Sequence, residues 1–191
     1  METPFLKALA ALLGDRGIAT YRFEFGYMAA RRQGVRRPPP KAERLKGEYC
    51  SAVDAVPSDL PLIIGGKSMG GRVASLVADR LYAQGRIVGL VCLGYPFHPP
   101  NKPEQLRTAH LLALLCPALI AQGERDPFGT RTEVEGYGLS TAISMHWVGD
   151  GDHDLGPRGG SGFTRKGNLA GAADAIADFA KRLARGPSRR G

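Results

Sequence analysis

The sequence predicts an α/β protein built on a mostly parallel sheet with helices on both faces. Short apolar runs at residues 62–66, 87–93, 117–122 and 144–148 alternate with stretches whose apolar residues recur at helical spacing. Strands separated by helices pair in parallel, and such sheets are covered on both faces. No internal repeat, low-complexity block or convincing linker breaks the pattern. Residues 1–185 therefore read as one domain, and 186–191 as a basic disordered tail.

The elements follow in order. Thr3 and Pro4 precede Phe5, Leu6, Leu9, Leu12 and Leu13, a helix with threonine as N-cap and proline at its first position. Residues 18–25 are rich enough in β-branched and aromatic side chains to be a strand, closed by Gly26. Residues 27–40 read as a basic, proline-rich loop. After the triple proline, Ala42, Leu45, Tyr49, Val53 and Val56 share one helical face. Beyond the strand at 62–66, Val73, Leu76, Val77 and Leu81 mark a helix that Gly85 can cap. The strand at 87–93 leads through a proline-studded loop, 94–100, to an expected helix near 105–115. Strands at 117–122 and 144–148 bracket an expected helix near 130–137. A last helix starts near Asn168, with Ala172, Ile176, Phe179 and Leu183 on one face.

Composition narrows the function classes. No apolar stretch approaches a membrane span, and Met1-Glu2-Thr3-Pro4 carries no basic cluster ahead of a long apolar run, so neither a membrane anchor nor a signal peptide is expected. The odd number of cysteines, Cys50, Cys92 and Cys116, suits reduced thiols in a cytoplasmic protein, and their spacing supports no zinc site. Asp150, Asp152 and Asp154 match the first ligand positions of a calcium loop, but Leu155 and Ser161 stand where glycine and glutamate are required. No cofactor is expected. The formal charge of +8 concentrates in Arg31, Arg32, Arg36, Arg37, Lys41, Arg44 and Lys46 and again in Lys181, Arg182, Arg185, Arg189 and Arg190. Without aromatic interleaving or a recognisable nucleic-acid module, these read as solvated faces, and a nucleic-acid partner is not expected.

Leu62-Ile63-Ile64-Gly65-Gly66-Lys67-Ser68-Met69-Gly70-Gly71-Arg72-Val73 carries the chemistry. It is an apolar strand, the pattern G-x-S-x-G, and then helical spacing, which together make a nucleophile elbow. A serine projects from so sharp a turn only if its neighbours lack clashing side chains, and Gly66 and Gly70 are expected to hold those places. A phosphate-binding loop would need glycine where Pro61 stands, and no dinucleotide fingerprint fits the glycines.

Ligands and reactive groups of an open parallel sheet sit beyond the carboxyl ends of its strands. There the sequence offers Gly123-Glu124-Arg125-Asp126-Pro127-Phe128 and Asp150-Gly151-Asp152-His153-Asp154-Leu155. The order Ser68, Asp126, His153 is that of an α/β-hydrolase triad. Ser68 would be the nucleophile, His153 the base, and Asp126 the group that orients the imidazole, with Glu124 as substitute acid. Met69 would give a backbone N–H to the oxyanion. His110 and His146 read as structural or exposed, and His98 as a possible border of the pocket.

Together with Arg22-Phe23-Glu24-Phe25-Gly26-Tyr27-Met28 and Leu93-Gly94-Tyr95-Pro96-Phe97-His98-Pro99-Pro100, these motifs span nearly the whole chain. The chain resembles the small, lid-less hydrolases of the KANL/Tex type, relatives of the dienelactone hydrolases in the α/β-hydrolase superfamily. The resemblance implies a Ser68-His153-Asp126 triad, no lid domain and a small ester-like substrate. It also implies that the chain departs from its group at the amino terminus. Members of that group begin with a strand and a His-Gly-Ala-Gly type loop that supplies a second oxyanion donor, and the strand lies between the counterparts of 18–25 and 62–66. Losing the donor costs roughly 3 kcal/mol in catalysis. Losing the strand leaves unpaired backbone on both flanks. The expectation is an amino-terminally truncated fold in which Met1 is an internal methionine.

The functional expectation is a serine hydrolase acting on a small ester. The rivals are a non-catalytic interaction module of the same fold and a basic nucleic-acid-associated protein. Substrate identity and oligomeric state are not legible.

Overall fold

Four parallel strands, β1 (Ile63–Lys67), β2 (Gly89–Leu93), β3 (Ala118–Gly123) and β4 (Ile143–Val148), lie side by side in chain order. They form the frame of a computed structural model that describes residues 3–35, 38–57 and 59–185. The expected tail at 186–191 and the basic residues Arg36 and Arg37 lie outside the described residues. Among the described residues six α-helices accompany the strands: α1 (Pro4–Gly14), α2 (Gly26–Arg32), α3 (Lys46–Asp54), α4 (Met69–Ala83), α5 (Arg131–Val134) and α6 (Arg165–Ala184).

Successive residues of a strand point to opposite faces, so each buried strand feeds two cores. Ile64, Leu90, Cys92, Ala118 and Ile120 pack with Tyr49 and Val53 of α3 and with Val73, Val77 and Leu81 of α4. Val91, Leu93, Leu119 and Ala121 pack with Phe5, Leu9 and Leu13 of α1 and with Leu169, Ala172, Ile176 and Phe179 of α6. The expected arrangement, helices on both faces of a parallel sheet, is the one observed. Its start is capped as the sequence implied, with Thr3 Oγ1 accepting from Leu6 N at 3.3 Å. Gly85 likewise closes α4 in the left-handed region, at φ 66°.

Four local expectations are corrected. Residues 18–25 adopt no regular secondary structure and join no sheet, because a strand exists only beside a partner and no described strand lies there. Part of the 27–40 loop is α2, since Met28, Ala29, Ala30 and Arg31 form helix readily and the prolines arrive only at Pro38. The helix near 105–115 shrinks to a 3-10 turn, Ala109–Leu111. Its would-be helical N–H groups go elsewhere: Arg107 N to Phe97 O, and Leu115 N and Cys116 N to the Asp79 carboxylate. The helix near 130–137 is the single turn α5, started by the Thr130–Glu133 capping box and followed by Gly136 and Gly138.

The outer edge of β1 meets no described strand. Gly65 turns its backbone away from β2, and the Tyr49 hydroxyl meets it there, donating to Gly65 O at 2.7 Å and accepting from Gly65 N at 3.0 Å. The rings of Phe23 and Phe25 pack on Tyr49, at 5.2 and 6.3 Å between centroids. One side chain thus stands where a neighbouring strand would pair.

Candidate active site

Ser68 sits between β1 and α4 at φ 51° and ψ −117°, a conformation costly for a residue with a side chain. What permits the turn is a close approach of backbone to backbone. A Cβ on Gly66 would lie 2.6 Å from Gly70 C, and one on Gly71 would lie 2.7 Å from Gly66 O. A Cβ on Gly70 would meet nothing within 4 Å. The downstream glycine without room for a side chain is therefore Gly71, whose Cβ would also meet Cys92 at 3.3 Å, and not the expected Gly70. Ser68 N donates to Leu93 O at 2.9 Å, which ties the elbow to the end of β2.

The Ser68 side chain makes no capping bond to its helix and turns to His153 instead, with Oγ 3.0 Å from Nε2. His153 follows β4, and its Nδ1 lies 2.9 Å from Asp126 Oδ2. Asp126, after β3, is wholly buried. Its Oδ1 accepts from Phe128 N at 2.9 Å, and its Oδ2 also accepts from Gln122 Nε2 at 3.0 Å. The structure thus brings Ser68, His153 and Asp126 into one line of contacts drawn from three strand ends. With Nδ1–H donated to the carboxylate, the imidazole presents the lone pair of Nε2 to the serine hydroxyl. Met69 opens α4, so its N–H is among those with no acceptor inside the helix, at the end where the helix dipole favours negative charge.

Several groups the sequence reading passed over support this line. Gln122 is wholly buried at the end of β3; its Oε1 accepts from Tyr95 N at 2.7 Å, and its Nε2 also lies near Tyr95 O and Gly129 O. A lone amide ending an apolar strand four residues before Asp126 was the available signal. Gly94 stands at φ 56°, and a Cβ there would lie 2.8 Å from His153 O and 3.4 Å from Asp126 Oδ2. The Phe128 ring packs on the His153 ring, 4.3 Å between centroids. Lys67 Nζ lies 2.6 Å from Asp154 Oδ1, so the neighbours of Ser68 and His153 form an ion pair, and Lys67 holds the Asp154 carboxyl below its usual range.

The other polar candidates are engaged elsewhere. Glu124, the substitute acid, accepts from Asp150 N and Arg131 Nη1, each at 3.0 Å, and these bonds hold its carboxyl below the ordinary range. His98 is buried with Nδ1 2.8 Å from Pro99 O, and its other nitrogen faces Glu133 at 3.6 Å. His146 is half-buried on β4, which pushes its pKa down. His110 Nε2 lies 2.8 Å from Ser75 Oγ, but the Ser75 hydroxyl donates its proton to Arg72 O at 2.8 Å. That histidine must therefore donate to Ser75, and the pair cannot serve as nucleophile and base. Hydrogen bonds from Arg158, with Arg125 nearby, hold Asp150 down to about 2. Among the described residues no three His, Cys, Asp or Glu side chains gather as a metal ion would require.

The fold is similar to solved hydrolase structures at low identity. The esterase domain of a Rhodothermus marinus protein shares 15% identity at a TM-score of 0.60, over 93% of this chain and 80% of that one. An alpha-beta serine hydrolase homologue from Coxiella burnetii shares 15% at 0.53, over 95% and 76%. A putative YdeN-like hydrolase from Pectobacterium atrosepticum shares 20% at 0.50, over 76% and 72%. The family model of the alpha/beta hydrolase domain matches residues 1–181, and the chain belongs to that family.

Proposed function

We propose that this protein is a serine hydrolase that cleaves a small ester through an acyl-enzyme at Ser68. The observation that carries the reading is the contact line from Ser68 Oγ through His153 to the buried Asp126 carboxylate. Ser68 Oγ attacks the ester carbonyl while His153 Nε2 takes its proton, and Asp126 stabilises the imidazolium that forms. The Met69 N–H faces the charge that develops on the carbonyl oxygen. His153 then gives the proton to the departing alcohol. A water enters, is deprotonated by the same nitrogen, and releases the acid and Ser68. Gln122 and Gly94 act as positioning residues, holding Asp126 and leaving room for His153. Cys92 is fully buried, and burial raises Cys116 to about 12, so both thiols are unreactive. The three free cysteines favour a reducing, cytoplasmic setting.

A fluorophosphonate probe tests the reading. Labelling of the folded protein that is lost in Ser68→Ala supports it, together with a fall of at least about a thousandfold in ester turnover. A folded protein that takes no label would instead be a non-catalytic module of the family.

A further inference from the structure

A cleft outside the triad carries a ligand chemistry of its own. It has a volume of about 570 Å³ and is lined by Lys41, Glu43, Arg44, Arg72 and Arg107. Arg72 stands at the first turn of α4, its N–H on Ser68 O at 3.0 Å, so the cleft opens one helical turn from the elbow. Arg107 is held from both sides by its backbone, with N donating to Phe97 O at 2.7 Å and O accepting from the Tyr95 hydroxyl at 3.1 Å.

The charges do not balance. Glu43 pairs with Arg72 through one nitrogen at 2.8 Å, and no carboxylate among the described residues pairs with Lys41, Arg44 or Arg107. The buried Arg72 Nε has no acceptor, an arrangement that costs on the order of 1–3 kcal/mol when nothing compensates it. Burial and the neighbouring Arg72 weaken the hold of Arg107 on its proton, as expected of guanidinium groups that share a site. Four cations against one acid is the pattern of an anion site, and three guanidinium forks suit phosphate oxygens better than ammonium groups would. Every side chain of the lining is charged, and the stems of its Lys and Arg residues supply the apolar surface. The volume lies in the range of small-molecule sites.

We propose that the cleft formed by Lys41, Arg44, Arg72 and Arg107 binds the phosphate group of a phosphorylated small molecule, an oxyanion of two or more negative charges. The group has two possible sources, the substrate hydrolysed at Ser68 or a separate effector.

Inorganic pyrophosphate is the probe, titrated into the full chain at constant ionic strength and followed by Tm and calorimetry. The expected result is a saturable rise in Tm that sodium chloride does not reproduce. Lys41→Gln/Arg44→Gln, which changes only exposed side chains, and Arg107→Gln should each weaken binding at least about tenfold. No saturable shift, or equal affinity in wild type and both variants, would overturn the proposal. So would tighter binding of a short RNA than of pyrophosphate. This part needs no turnover, so its failure is distinct from failure of the reading of Ser68. Kinetics separate the two sources. Competition against a phosphorylated ester but not a neutral one assigns the anion to the substrate, whereas a non-competitive effect on the neutral ester assigns it to an effector.

Discussion

The two flanks of the sheet are built to different standards. On the side of β2, β3 and β4, Asp126 accepts from three groups, and Gln122 ties the loop after β2 to the loop after β3. On the outer side of β1 a single phenol meets the backbone at Gly65, and the irregular residues before α2 leave Tyr21 68% exposed. Ser68 stands on the boundary, held by β2 through Leu93 and by nothing comparable on the other side. β1 and β4 are both edge strands of the described sheet, so the difference lies in the side chains: His153 and Asp126 are held by interlocking contacts, whereas the nucleophile follows a strand whose free edge meets one phenol. Edge backbone with few buried contacts opens at lower free energy than a paired core strand.

The comparison breaks most sharply at Asp126. Asp126→Asn keeps the shape of the buried side chain but cannot accept the Nδ1–H in the same way, so the imidazole loses its tautomer. The expected loss is about 10⁴-fold in kcat or in the rate of fluorophosphonate labelling, with little change in fold. Retention of full labelling would mean that the well-built flank has no chemical role. Next comes Gly94→Ala, which forces a Cβ into His153 O and a side chain into the left-handed region. Displacing the ring by a fraction of an ångström to an ångström should cost about a hundredfold in kcat. An unchanged kcat would show that the loop after β2 can yield.

Much of the well-built flank was legible in the residues. The apolar strands, the elbow and the order serine, acid, base all depend on local patterns, and each site residue sits just beyond a strand end where topology requires it. What was not legible depended on contacts across the chain. Gly71 rather than Gly70 lacks room for a Cβ only because of how α4 packs back on β1 and β2, and no spacing rule reveals which glycine faces the sheet. Gln122 and Gly94 matter through neighbours 27 or more residues away, Tyr95 for the first and His153 for the second. Residues 18–25 have strand composition, but composition cannot supply a partner. The short turn α5 and the lost helix near 105–115 were set by capping and by the Asp79 carboxylate, both of which override weak helical preference.

The poorly paired flank has its own test. Tyr49→Phe removes the one hydroxyl that meets both backbone groups of Gly65. At about 1–3 kcal/mol for groups left without a partner, and about 2–4 °C per kcal/mol for a chain of this size, Tm should fall by several degrees. Amide exchange should quicken at β1 more than at β3. If kcat falls in proportion, the edge strand limits the position of Ser68; if kcat holds, the link to β2 through Leu93 is enough.

The smallest effect lies where the two flanks are stapled across the site. Lys67→Met removes the ion pair to Asp154 while leaving apolar bulk over the Phe5 ring, which the ammonium faces at 5.4 Å. With Asp154 54% exposed, the pair is worth only about 0.2–1 kcal/mol. Its pH dependence has a definite sign. Lys67 lowers the Asp154 pKa in the folded state, so the pair's contribution is present above the unfolded value of about 3.9 and is lost as pH falls through the lowered one. The Tm difference between wild type and Lys67→Met should therefore be largest near neutrality and close toward acid. A difference that stays constant across that range would mean that Lys67 acts through packing on Phe5 and not through its charge.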